Sequence, residues 1–161
     1  MKELILLRHA KSSWEYSVQD RNRSLTEKGV HRIKAIAHAS ASHFEGVDVV
    51  FSSPANRAFH TASILMHELN LPFEKLIISE TLYTFEVSQV VQFVRSLPTT
   101  YAKVVCVGHN PAYTAAVSAF SSESLPHLPT AAWVSFQFDQ NDWKNIQHGK
   151  VNYGLPKELL Q

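Results

Sequence analysis

The chain has 161 residues, of which 45% are hydrophobic and 18% are charged, an ordinary balance for a globular protein. Its formal net charge of +1 gives no general attraction to polyanions, and no basic run is interleaved with aromatic residues, so nucleic-acid binding is disfavoured. No apolar run approaches the roughly 18 residues of a membrane helix, and the first one is too short for a signal peptide. We therefore expect one domain over residues 1–161, cytoplasmic and without a membrane partner.

The first part of the chain predicts two short buried strands with a helix between them. Residues 3–7 (ELILL) and 47–52 (VDVVFS) are the strands, because continuous apolar runs of this length are typical of central parallel strands. Ser24 and Glu27 have the spacing of a capping box, in which a helix starts with a side-chain hydrogen bond. This spacing predicts a helix that continues to about residue 43.

The rest of the chain continues the alternation of strands and helices. Pro54 predicts the start of a helix, since proline at the first helical position lacks only a donor that would go unused. Residues 131–139 (AAWVSFQFD) alternate in polarity and predict a strand with one solvated face, and the tail has room for a further strand. The other predicted elements are strands over 75–78 and 103–107 and helices over 87–97 and about 112–120. This order predicts an α/β fold with three layers, in which helices cover both faces of a mostly parallel sheet.

Three predicted strand ends carry cations or imidazoles. Arg8 and His9 follow the first strand, Arg57 lies shortly after the second, and His109 follows the fourth. Each motif alone is more typical of a surface loop or turn, but ligands of open α/β sheets collect beyond the carboxyl ends of the strands. Arginine binds phosphate oxygens through paired hydrogen bonds, and a neutral imidazole is a nucleophile for phosphorus. Together they predict a phosphoryl-transfer site without metal or cofactor, because the arginines neutralise the charge that magnesium carries elsewhere.

Four sequence blocks occur in this order: LLRHAKSSW, RSLTEKG, SSPANRAFHTA and VGHNPAYT. In this order and spacing they resemble the histidine phosphatase superfamily, and more narrowly its SixA-type phosphohistidine phosphatase branch. The resemblance covers roughly residues 3–138. It implies a phosphoglycerate mutase-like fold and a metal-independent phosphatase that works through a phosphohistidine enzyme intermediate.

The resemblance also implies a role for each of the four residues at the strand ends. His9 matches the histidine that becomes transiently phosphorylated, and Arg8 matches the arginine beside it that holds the phosphoryl oxygens. Arg57 matches the second phosphate-binding arginine. His109 matches the second histidine, which contacts the phosphoryl group and stabilises its transition state.

The chain departs from the family pattern at one position. Three further candidates for the site, Glu80, Arg23 and Lys11, are weaker than the four residues above. The family signature commonly reads Arg-His-Gly, whereas position 10 is Ala10. Many phosphoester-cleaving members place an acid after the third strand as proton donor. Glu80 is the matching candidate, with Glu86 as a weaker one, although an ordinary loop carboxylate fits equally well. Arg23 aligns with a commonly basic position and is expected at the pocket rim, and Lys11 is a substrate-binding candidate or a solvated side chain.

The connections between the predicted elements bear on the substrate. They are short after the second and fourth strands, which predicts a shallow, open pocket. An open pocket favours a phosphoryl group displayed on a protein, so protein-borne phosphohistidine is the leading substrate. The alternatives are a small phosphomonoester, such as a sugar or nucleotide phosphate, and a catalytically silent phosphoprotein-binding module. A trapped phosphoenzyme would distinguish the enzyme from the binding module.

Overall fold

The computed structural model describes residues 1–161 and contains a single six-stranded sheet. The strands lie side by side in the order β3-β2-β4-β1-β5-β6. The first four run parallel to their neighbours, whereas β5 is antiparallel to β1 and β6 is antiparallel to β5. Their bounds are β1 Lys2–Arg8, β2 Val49–Ser52, β3 Leu76–Ile78, β4 Lys103–Gly108, β5 Trp133–Phe138 and β6 Lys150–Gly154. The predicted mostly parallel sheet is confirmed, and the tail does add a strand.

Five α-helices connect or follow the strands. They are α1 Glu27–Ala39, α2 Asn56–Glu68, α3 Val87–Arg95, α4 Ala112–Phe120 and α5 Pro156–Leu159. None of these helices combines the length and the apolar character that crossing a membrane requires.

The sheet separates two hydrophobic cores. Leu4 and Leu6 of β1 belong to a core that includes residues of α3 and α4. Ile5 and Leu7 belong to the other core, which includes residues of α1 and α2. Because successive side chains of a strand point to opposite faces, the apolar centre of β1, Leu4–Leu7, is buried on both sides. The predicted three-layer arrangement is thus confirmed.

The predicted start of α1 was wrong by two residues. Thr26, not Ser24, is the N-cap, and its Oγ1 accepts a hydrogen bond from the Gly29 N–H at 2.9 Å. Leu25 instead forms an antiparallel bridge with Ser12, which keeps the chain extended up to Thr26. The helix also ends earlier than predicted, at Ala39.

Two other predictions were wrong in detail. Pro54 precedes α2 rather than opening it, because Ser53 Oγ accepts the Ala55 N–H at 3.2 Å and the helix begins at Asn56. Strand β5 has no solvated face, because Val134, Phe136 and Phe138 pack into one core and Trp133 packs into the other.

Gly29 lies at a close contact between α1 and the loop that follows β1. A Cβ atom at this position would overlap the carbonyl oxygen of Lys11, which also accepts the Thr26 N–H at 2.9 Å. Since the obstructing atoms belong to the backbone, they cannot move aside by a change of rotamer.

We expect Gly29→Ala to lower the free energy of unfolding by about 1–3 kcal/mol, because the added methyl separates α1 from the loop. This cost exceeds the roughly 1 kcal/mol that alanine gains over glycine within a helix. Urea unfolding followed by circular dichroism measures the change, with Lys34→Ala on the exposed side of α1 as control. A Gly29→Ala protein as stable as the wild type would contradict the close contact.

Candidate active site

A cavity of about 520 Å³ lies at the carboxyl ends of β1, β2 and β4. All four residues assigned by strand position line it: Arg8, His9, Arg57 and His109. The two candidates for the rim, Arg23 and Lys11, line it as well. The fold therefore brings together side chains that are up to 101 residues apart in sequence, as between Arg8 and His109.

Backbone hydrogen bonds fix His9 at the end of β1. Its N–H donates to Gly108 O and its carbonyl accepts from the Ala131 N–H, both at 3.1 Å. The imidazole Nδ1 lies 2.7 Å from Ala10 O. Because a carbonyl oxygen can only accept, Nδ1 carries the proton in this contact, and the lone pair of the neutral ring is on Nε2.

The surroundings of His9 favour its neutral form. Burial lowers its pKa to about 4, and the cations Arg57 and Arg8 add to this effect, while the hydrogen bond to Ala10 opposes it. Burial likewise lowers the pKa of His109 to about 3, assisted by His9 and Arg57. Both imidazoles are therefore uncharged at neutral pH.

His109 is held by a hydroxyl group and packed among aromatic rings. Its Nε2 lies 2.8 Å from Ser53 Oγ, and its ring centroid lies 5.3 Å from that of His9. The ring centroids of Tyr83 and Phe85 lie 5.5 and 5.7 Å from the ring centroid of His109. These contacts fix the orientation of the imidazole beside His9.

Arg57 projects from the first turn of α2 and is almost fully buried. Its Nη1 donates to Asp20 O at 2.6 Å, and its Nη2 donates to Asp20 Oδ2 at 3.0 Å. The same carboxylate oxygen accepts from the Tyr83 hydroxyl at 2.6 Å. Partial burial alone would raise the pKa of Asp20, but the hydrogen bonds from Tyr83 and Arg57 lower it to about 2. Asp20 is therefore ionised and neutralises part of the charge of Arg57.

Arg23 is a second arginine that Asp20 holds. Its Nη1 donates to Asp20 Oδ1 at 3.2 Å and its Nε donates to Ser13 O at 3.0 Å. The ring centroid of Trp14 lies 3.2 Å from the guanidinium carbon, which places the indole as a cover over the cation. Trp14 is itself 79% exposed.

Arg8 also lines the cavity and is fixed by a backbone carbonyl. Its Nη1 donates to Leu128 O at 3.0 Å. Burial lowers its pKa from the ordinary value, yet an arginine remains charged at any working pH. The cavity thus has fixed cations from three separate segments of the chain, those of Arg8, Arg23 and Arg57.

Glu80 does not line this cavity. Its carboxylate is exposed and accepts two hydrogen bonds from Arg21, at 2.6 and 3.0 Å, and these lower its pKa. Glu86 is the N-cap of α3 and is also absent from the lining. The role of Glu80 as a proton donor stays a prediction.

The sequence reasoning missed Asp20 and Ser53. Asp20 lies in a polar segment without periodicity, and its only signal is its position three residues before Arg23. Ser53 directly follows β2, a position that the rule of strand ends could have selected. The protein contains no group of three or more His, Cys, Asp or Glu side chains arranged to hold a metal ion.

The chain is similar in sequence and in fold to known proteins. The model of the histidine phosphatase superfamily (branch 1) matches residues 4–83. An uncharacterised chloroplast protein of Arabidopsis thaliana is 28% identical over 152 residues, which are 89% of this chain and 69% of that protein.

Two solved structures have a similar fold. The "putative phosphohistidine phosphatase SixA" of Agrobacterium tumefaciens has a TM-score of 0.75 and 25% identity, covering 84% of this chain and 90% of that chain. The protein histidine phosphatase SixA complexed with tungstate has a TM-score of 0.83 and 23% identity, covering 98% and 99%.

We expect His9 to remain neutral, with its proton on Nδ1, between pH 5 and pH 8. This whole range lies above its lowered pKa of about 4. Long-range ¹⁵N–¹H NMR correlation distinguishes the two tautomers and the imidazolium across a titration. A midpoint near 6.5 for His9, or a proton on Nε2, would contradict the hydrogen bond to Ala10.

Proposed function

Since this chain belongs to the histidine phosphatase superfamily, as a phosphatase of its SixA-type branch, we propose that it hydrolyses phosphohistidine on a protein through a phosphorylated His9. The observation that carries the proposal is the neutral His9 imidazole, whose unprotonated nitrogen is Nε2. It lines one cavity with Arg8, Arg57 and His109. This set combines a nucleophile for phosphorus with donors for the phosphoryl oxygens.

The first step transfers the phosphoryl group from the substrate to the enzyme. Arg8 and Arg57 bind the phosphoryl oxygens, and His109 is a further donor. His9 Nε2 forms a bond to phosphorus while the bond from phosphorus to the substrate nitrogen breaks on the opposite side. The electron pair of the broken bond stays on that nitrogen, and the substrate ring, protonated on its other nitrogen, leaves as neutral imidazole. Fixed donors aimed at the charge of the transition state supply much of the acceleration.

The second step restores the enzyme. A water molecule attacks the phosphorus of phospho-His9, the bond from Nε2 to phosphorus breaks, and inorganic phosphate leaves with the oxygen of that water. His9 returns to its neutral form, which the buried cationic surroundings favour. Splitting the hydrolysis into two displacements replaces one difficult step by two easier ones.

Asp20 holds the arginines in this proposal and does not donate a proton. Its carboxylate is ionised and accepts from Arg57, Arg23 and Tyr83, which leaves it no proton to give at neutral pH. A proton donor matters less for phosphohistidine, since imidazole leaves without the full protonation that an alkoxide demands. For a phosphoester, Glu80 would have to separate from Arg21 before acting.

The mouth of the cavity supports a protein as the bearer of the phosphoryl group. Trp14 and Phe85 line it and are 79% and 48% exposed. Large aromatic side chains left exposed beside a polar cavity are typical of surfaces that contact other proteins. A small phosphomonoester is the alternative substrate. The cytoplasmic location expected from the sequence belongs to the same proposal.

We expect fast phosphate release from a phosphohistidine-bearing protein domain and slower release from a panel of small phosphoesters. His9→Ala should abolish release while leaving the circular dichroism spectrum unchanged, because it removes the nucleophile and not the strand. An alkaline quench during turnover should trap phosphate on the wild-type enzyme alone. Normal turnover by a folded His9→Ala protein would contradict the mechanism. Phosphate release from one small ester only would favour the alternative substrate.

We expect Asp20→Asn to slow the hydrolysis of both phosphohistidine and an alkyl phosphate by about tenfold or more, because Arg57 loses its ionised partner. Glu80→Gln is the matched comparison. If Glu80→Gln slows the hydrolysis of the alkyl phosphate alone, on the order of 10²-fold or more, Glu80 is the proton donor for esters. Unchanged rates in Asp20→Asn would contradict the positioning role of Asp20.

A further inference from the structure

A second, smaller cavity of about 200 Å³ adjoins the catalytic cavity. Its walls are Lys11, Lys28, Arg32 and Thr130, and we call it the basic annex. Lys11 and Thr130 also line the catalytic cavity, so the two cavities are adjacent. No apolar residue lines the annex.

The three cations of the annex have no carboxylate partner. The ion pairs of the protein involve other residues, and none of the three side chains donates a hydrogen bond within the chain. Like charges gathered around one small space repel one another, and no acidic side chain lines that space. An anion placed there would relieve this repulsion.

The fold holds the annex together. The Lys11 carbonyl accepts the Thr26 N–H at 2.9 Å, and the absence of a Cβ at Gly29 lets α1 approach the same carbonyl. This contact sets the loop after β1 against the first turn of α1. Lys28 and Arg32 are four residues apart on that helix and therefore share one face. The position of the three cations thus follows from backbone packing.

We propose that the annex binds a second anionic group of the substrate while its phosphoryl group lies against Arg8, His9 and Arg57. The proposal rests on the phosphatase function proposed above and narrows its substrate class to molecules with a carboxylate or phosphate close to the scissile phosphoryl group. Arg32 pairs with planar or tetrahedral oxyanions through its guanidinium fork, and the lysines add point charges.

Two sources supply such an anion with the same chemistry. One is an acidic side chain close to phosphohistidine on the surface of a protein. The other is a second phosphate or carboxylate of a small phosphorylated molecule. Because the annex cations are exposed, each ion pair contributes modestly and is weakened by salt.

The test compares the binding of alkylene bisphosphonates, with one to four methylene groups between the phosphorus atoms, against methylphosphonate. Isothermal titration calorimetry at low salt gives the ratio of dissociation constants without any turnover. We expect the best bisphosphonate to bind wild-type protein about tenfold more tightly than methylphosphonate. The double variant Lys28→Ala/Arg32→Ala should reduce this ratio to roughly twofold, the statistical advantage of two identical groups.

Lys34→Ala is the matched control, because Lys34 lies on the same helix and lines a different cavity. It should keep the wild-type ratio. Equal ratios in the double variant and in this control would overturn the annex, and so would the absence of bisphosphonate binding.

A second arm separates the two sources of the anion. It compares kcat/KM for two phosphohistidine peptides, one with acidic residues beside the phosphohistidine and one without. A loss in the double variant confined to the acidic peptide supports a protein substrate, and a loss confined to the bisphosphonates supports a small molecule. If none of the substrates gives His9-dependent phosphate release, the proposed function is overturned. The ratio of the dissociation constants of methylphosphonate and the bisphosphonate would still decide for or against the annex.

Discussion

The parallel pairing of β1 with β4 is the constraint on which the candidate site depends. Arg8 pairs with Gly108, and the His9 N–H donates to the Gly108 carbonyl. The two histidines that follow therefore emerge side by side, with ring centroids 5.3 Å apart. Both strands lie inside the sheet and are buried on both faces, so the reacting groups start from a rigid support rather than from loops.

Charge and burial act together at these strand ends. The arginines that would bind a phosphoryl group also disfavour the imidazolium forms of His9 and His109, so one set of cations serves ligand binding and keeps a nitrogen lone pair available. A site built only of cations would repel itself. Asp20 offsets this by joining Arg57 to Arg23 through one carboxylate, with the Tyr83 hydroxyl as a third donor.

Sequence reasoning succeeded where a pattern is local and failed where a partner is distant. The apolar runs predicted all four parallel strands. For β1, β2 and β4 the reason is burial on both faces, whereas β3 lies at the edge of the sheet and exposes Ile77 and Ile78. The rule of strand ends predicted four of the 12 residues that line the cavity, Arg8, His9, Arg57 and His109. The helix start at Ser24 and the solvated face of β5 were mispredicted, because the bridge at Leu25 and the burial of both faces of β5 depend on tertiary contacts. Asp20 was missed because its partners are up to 63 residues away, as with Tyr83.

The alternation of β1 between the two cores links the accuracy of folding to activity. Leu4 and Leu6 fill one core, and Ile5 and Leu7 fill the other. A slip of β1 by one residue would exchange these sets and turn Arg8 and His9 to the wrong faces at the same time. Molecules with this error would lose packing and the nucleophile together. The fraction of molecules that can be phosphorylated on His9 would therefore also measure the fraction in which β1 has paired in the native register.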